Sequence, residues 1–162
     1  GTLSPFALMQ EIRAWFDGPV ALSGAIATGG AVLAAQAMGA DFGYVGSAFI
    51  ATTEANAAGA YKQAIVEGAA DSIVYTDAVT GVHGNYLRSS LVAAGLDPDN
   101  LPAAAAMDFG GDKPRAWKDV WGSGQGIGAV TGVVPAAALV DRLAHEYSAA
   151  RSRLGLPALL PA

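Results

Sequence analysis

Apolar residues at helical spacing open the chain. Ser4-Pro5 precedes Phe6, Leu8, Met9, Ile12, Trp15 and Phe16, which predicts a helix with an N-cap and proline at its first position. Asp17-Gly18-Pro19 ends it, and Val20-Ala21-Leu22 follows as a short apolar run of the kind buried on both faces in a parallel sheet. The loop Ser23 to Gly30 leads into Ala31–Met38, a predicted helix apolar nearly all round and stopped by Gly39. Phe42-Gly43-Tyr44-Val45 reads as a second strand, Gly46-Ser47 opens the next turn, and Asn56 to Val66 reads as another helix. Helix, strand, helix, strand, helix with short links is the order of parallel β/α architecture.

Beyond residue 70 the pattern weakens. Ser72 to Tyr75 predicts a brief strand, and Tyr86–Ala94 a helix ended by Gly95. Leu96 to Gly111 is rich in turn residues and alanine and reads as loop. Residues 122–128 form a loop with four glycines. Its Gly-x-Gly spacing suggests a dinucleotide fingerprint, but no strand precedes it and no helix opens from it, so that reading fails. Pro135 starts the clearest helix, with Ala136, Leu139, Val140, Leu143, Tyr147, Ala150 and Leu154 on one stripe and Gly155 after it. Trp117 and Trp121, four residues apart, predict one packed apolar face, and Pro157 and Pro161 mark a tail.

Composition narrows the class of function. Charged residues make up 14% of the chain, against roughly 25% in average soluble proteins, which suits a chain covered on many sides. The net charge is −5 and the nine basic residues are scattered. A nucleic-acid surface needs a basic stripe, so no nucleic-acid partner is expected. With no cysteine, disulfides and thiolate metal sites are excluded, and a cytoplasmic setting fits. Asp108, Asp112, Asp119 and Asp141 are not spaced as metal ligands, so no metal is expected. Gly18 to Ala40 carries no charge, yet Pro19, Ser23, Thr28, Gln36 and its glycines fit a strand, a turn and a buried helix better than a membrane span. No basic segment opens the chain as in a signal peptide.

Two loops carry the candidate chemistry. Ser23-Gly24-Ala25-Ile26 follows one strand, and Tyr44-Val45-Gly46-Ser47 follows the next. Loops after the last strands of β/α barrels often hold a phosphate, because free amide N–H groups and the helix dipole favour an anion there. Glycine lets the backbone approach closely, and Ser47 adds a hydroxyl donor. One such glycine alone reads better as a tight turn. Two at matching positions favour the phosphate.

The stretches Pro19 to Ile26, Ala37 to Asp41 and Tyr44 to Ala55 resemble the nitronate monooxygenase family, in which a Gly-Gly-Ile loop and a Gly-Ala-Asp run occur at this spacing. The likeness continues through Tyr75 to Gly81, Leu87-Arg88 and Gly124-Gln125-Gly126. The paired motif is shared with related flavin-dependent enoyl reductases. The resemblance implies the C-terminal part of a TIM-type (β/α)8 barrel with a mostly helical C-terminal extension. Residues 1–70 would supply the last β/α units, and residues 71–162 an extension packing on the barrel. It implies FMN as cofactor, held at Ser23, Gly24, Ala25, Tyr44, Val45, Gly46 and Ser47, with Gln125 adjacent to substrate. The activity implied is oxidation of alkyl nitronates with oxygen. Two alternatives are an enoyl-CoA or enoyl-carrier-protein reductase using NAD(P)H, and a non-catalytic barrel remnant.

Three positions depart from the family pattern: Ala25 for glycine, Tyr44 for glutamine and Ser47 for threonine. Arginine is common where Ala48 stands. The family's catalytic histidine belongs to an earlier part of the barrel, so catalytic residues are expected upstream. Neither His83 nor His145 takes that role. Because the chain opens inside a β/α unit, the partners expected are a small-molecule substrate, the missing barrel half and, as a homodimer, a second copy of the protein.

Overall fold

A computed structural model describes residues 1–101 and 118–157. The elements are α1 Pro5–Arg13, β1 Ala21–Leu22, α2 Gly29–Ala37, β2 Phe42–Gly43, α3 Ser47–Ile50, α4 Gly59–Glu67, β3 Ile73–Thr76, β4 Gly84–Leu87, α5 Arg88–Ala93 and α6 Ala136–Arg153. Asp108, Asp112, Trp117 and Pro161 lie outside the described residues.

β1 and β2 pair in parallel, with Ala21 opposite Phe42 and Leu22 opposite Gly43. The ladder runs on through the Tyr44 amide, which donates to the Leu22 carbonyl at 2.8 Å. α2 makes the crossover between them. It starts two residues earlier than its apolar run predicts, because the Thr28 hydroxyl caps it by accepting from the Ala31 amide at 3.1 Å. Gly39, at φ +98°, ends that segment in a conformation other residues rarely adopt.

α1 stops at Arg13, three residues before Phe16, and Trp15 is left exposed. The Arg13 guanidinium holds the turn that follows. It donates to the carbonyls of Phe16, Gly18 and Gly39 and to the Asp41 carboxylate at 2.7–3.1 Å. The turn after α1 is thereby folded back onto the start of β2. Ser4 stands at the N-cap, but its hydroxyl makes no capping bond.

The predicted helix over Tyr86–Ala94 is split. Tyr86 and Leu87 belong to β4, antiparallel to β3, with Val74 opposite Tyr86 and Ile73 opposite Leu87. Both residues are buried, Leu87 beside Ile65 and Ile127 and Tyr86 beside Leu91 and Val120. Consecutive side chains of a strand point to opposite faces, so two neighbours can enter two different cores. β3 and β4 therefore form an antiparallel hairpin between α4 and α5.

α6 lies along α2. A Cβ on Gly29 would sit 2.1 Å from the Leu143 carbonyl oxygen and 2.2 Å from the Tyr147 amide, so only glycine admits this approach. The Glu146 carboxylate accepts from the Gly29 amide at 2.8 Å, and the Tyr147 hydroxyl donates to Gln36 at 2.6 Å. Within the α6 stripe, Leu139 and Ala150 are buried, while Val140 and Leu154 stay exposed. Among the described residues no helix is long and apolar enough to cross a membrane.

Candidate phosphate-binding site

Parallel pairing puts the loops after β1 and β2 at the same end of the sheet. They meet in a cleft of about 90 Å³ lined by Ser23, Gly24, Tyr44, Gly46 and Ser47, with Ile26 and Ala27 behind them. Ala25 and Val45 do not line it, and the Val45 side chain packs toward the two cores beneath. The volume is about three times the roughly 30 Å³ of a liquid water. It suits one small polar group, whereas whole-ligand pockets run to about 300–1,000 Å³.

Gly24, at φ +99°, turns the chain out of β1 in a conformation that favours glycine. A Cβ there would meet no atom within 4 Å, and one on Gly46 would meet only the Tyr44 ring at 3.8 Å. Both glycines therefore leave space open and do not serve internal packing. Among the described residues, the amides of Gly24, Ala25, Gly46 and Ser47 have no protein acceptor. Among the residues lining the cleft none is charged. An anion there would be held by amide dipoles, as in backbone nests.

A third segment closes the site; the family likeness brought Gln125 near the substrate, but not the contacts this segment makes with the two loops. The residues 122–126 cross the first loop, and Gly124 and Gly126 also line the cleft. The Gln125 amide donates to the Gly24 carbonyl at 2.6 Å. The Gly124 amide donates to the Ser47 hydroxyl oxygen at 2.8 Å. Cβ atoms on Gly124 and Gly126 would lie 2.4 Å from the Gly24 oxygen and 2.8 Å from the Ala25 oxygen. A 3-10 helix does open here, at Gln125–Ala129, where the sequence predicts none. The exposed Gln125 side chain reaches the Gly1 carbonyl at 3.4 Å.

Behind the cleft, Arg142 of α6 donates to the carbonyls of Ala27 and Ala129 at 3.2 and 3.1 Å and ties these loops to the helix. At the other end of β1, the Asp41 carboxylate accepts from the Val20 amide at 2.7 Å. That bond and the Arg13 guanidinium hold the Asp41 carboxyl below its ordinary range. The two histidines stand away from the cleft. His83 is on the hairpin loop, its ring 4.9 Å from Tyr75 and its Nδ1 3.9 Å from Asp77, and His145 is exposed on α6.

The cleft sits where the sequence resemblance places a cofactor phosphate, and comparison with known proteins decides the family. The nitronate monooxygenase family model matches residues 1–146. The chain belongs to the nitronate monooxygenase family. It is 31% identical over 153 residues to a nitronate monooxygenase of Paraburkholderia phytofirmans, covering 89% of this chain and 42% of that protein. The chain thus spans under half the length of that curated relative. Nitroalkane oxidase from Streptomyces ansochromogenes superposes with a TM-score of 0.67 at 26% identity, over 94% of this chain and 46% of that one. FabK from Thermotoga maritima superposes with a TM-score of 0.69 at 21% identity, over 96% of this chain and 52% of that one. The fold is accordingly part of a TIM-type β/α barrel.

Proposed function

We propose that this chain is the phosphate-binding portion of an FMN-dependent oxidoreductase that oxidises alkyl nitronates with oxygen. The observation that carries the reading is the uncharged cleft where two glycine loops, brought side by side by parallel pairing, leave amides without protein acceptors. When bound, the flavin supplies the redox chemistry. The residues of this chain hold and orient its phosphate: Ser23, Gly24 and Ala25 in one loop, Tyr44, Val45, Gly46 and Ser47 in the other. We place the Gln125 side chain beside the substrate, and the catalytic residues in the part of the barrel outside this chain. Residues 1–70 are then barrel units and residues 71–162 an extension packed on them. The same reading makes the protein cytoplasmic, with a small-molecule substrate and the remaining barrel half, or a second copy, as its partners.

The test is flavin titration of the full-length protein with FMN and with riboflavin, which lacks the phosphate. FMN should bind about tenfold or more tightly, the ratio expected from charge-assisted hydrogen bonds worth roughly 1.5–3 kcal/mol. Equal affinities would sink the phosphate site, and no binding of either flavin would leave a non-catalytic barrel remnant. Turnover of propionate 3-nitronate, set against an enoyl-CoA with NADH, separates the monooxygenase from an enoyl reductase.

A further inference from the structure

Resting on that phosphate reading, we infer that residues 122–126 form a positioning loop, supplied by the extension, that sets the orientation of Ser47 and the width of the cleft. A serine hydroxyl can rotate and has one proton to give. The Gly124 amide donates to the Ser47 oxygen at 2.8 Å. That bond occupies a lone pair and leaves the hydroxyl proton for an acceptor in the cleft. The Gln125 amide, 2.6 Å from the Gly24 carbonyl oxygen, fixes the opposite wall. Consecutive residues of one loop thus grip both phosphate loops, and neither bond uses an amide of those loops.

The loop is itself anchored from below. The buried Tyr61 of α4 donates its hydroxyl to the Gly122 carbonyl, and its ring stacks on Trp121 at 5.1 Å. The Trp121 amide donates to the buried Ser90 hydroxyl at 3.0 Å. Burial pushes the Tyr61 phenol up to about 12, so it stays a neutral donor near neutral pH. Tyr61 does not line the cleft, so any effect of this residue on phosphate binding runs through the loop.

The experiment uses the full-length protein, Tyr61→Phe and Gly124→Ala, and measures FMN and riboflavin affinities side by side. Tyr61→Phe keeps the ring and its stacking and removes only the tether. Its FMN affinity should fall about fivefold, as expected from a neutral hydrogen bond of roughly 1 kcal/mol. Gly124→Ala, whose Cβ would lie 2.4 Å from the Gly24 oxygen, should cost about tenfold or more. Riboflavin affinity should stay unchanged in Tyr61→Phe and fall less than FMN affinity in Gly124→Ala. A variant that loses both flavins equally, or keeps the FMN preference of the unmodified protein, overturns the positioning role. Should Gly124→Ala not fold, Tyr61→Phe alone decides. An unmodified protein that does not prefer FMN refutes the phosphate reading instead, so the two failures are distinct.

Discussion

The four glycines at the cleft do two different jobs, and a single methyl group tells them apart. Gly46 has φ −110° and room for a Cβ. Gly46→Ala should therefore leave stability within about 0.5 kcal/mol while weakening FMN, because the methyl takes space at the cleft. Gly24, at φ +99°, should show both effects. Gly24→Ala should cost roughly 1–3 kcal/mol of backbone strain in addition to the lost affinity. Denaturant titration and FMN binding on the full-length protein measure the two quantities separately, and a Gly46→Ala variant as unstable as Gly24→Ala would contradict the assignment. Gly24 and Gly46 were legible in the sequence because each follows an apolar strand run. Gly124 and Gly126 stood out only through the family likeness, since their physical need for glycine arises from the Gly24 and Ala25 carbonyls about a hundred residues away in the chain. Arg13 was hidden for a similar reason: three of its four acceptors are main-chain carbonyls, which leave no mark in a sequence.

The elements most legible in the sequence were those with a local cause. β1, β2 and α6 follow from apolar runs and from Pro135, and each lies within a few residues of its predicted place. β4 was misread because Tyr86 and Leu87 are equally apolar as strand or helix, and the strand wins through the Trp121 carbonyl, which accepts from the Leu87 amide at 2.8 Å. At this scale Asp41 predicts a pH dependence. Its folded pKa lies below the ordinary 3.8. The carboxylate's contribution is therefore fully present above that value and lost as pH falls through it toward the folded pKa. Asp41→Asn should lower the denaturation midpoint at about pH 6, and the gap to the unmodified protein should close toward about pH 3. A gap that stays constant across that range would show that the charge is not what holds Val20. Gly29→Ala probes the other contact, between α2 and α6. With backbone atoms 2.1 and 2.2 Å from the new Cβ, the helices must separate, at a cost of roughly 1–3 kcal/mol or more in unfolding free energy. An unchanged denaturation midpoint would mean that the two helices can slide apart freely.

At the scale of the whole molecule, a parallel sheet of two strands is the weakest part of the design. β1 and β2 contribute two residues each, and sheets this small are not stable without further strands or layers. Parallel sheets are covered on both faces, yet Ala21, Phe42 and Tyr44 around this sheet are exposed, as are Phe6 and Trp15 on and beside α1. The structural relatives are about twice as long as this chain, and their additional length is enough for further barrel strands. It follows that these 162 residues, prepared alone, should associate through the exposed edge and, under the proposed function, bind FMN far more weakly than the full-length protein. Size-exclusion chromatography and denaturant titration of the isolated chain are the measurements. A monomer that unfolds in one cooperative transition would mean that α1, α2 and α6 suffice to hold the two strands. The loops after β1 and β2 would then be pre-formed before the rest of the barrel is added, and FMN titration of that monomer would test it directly.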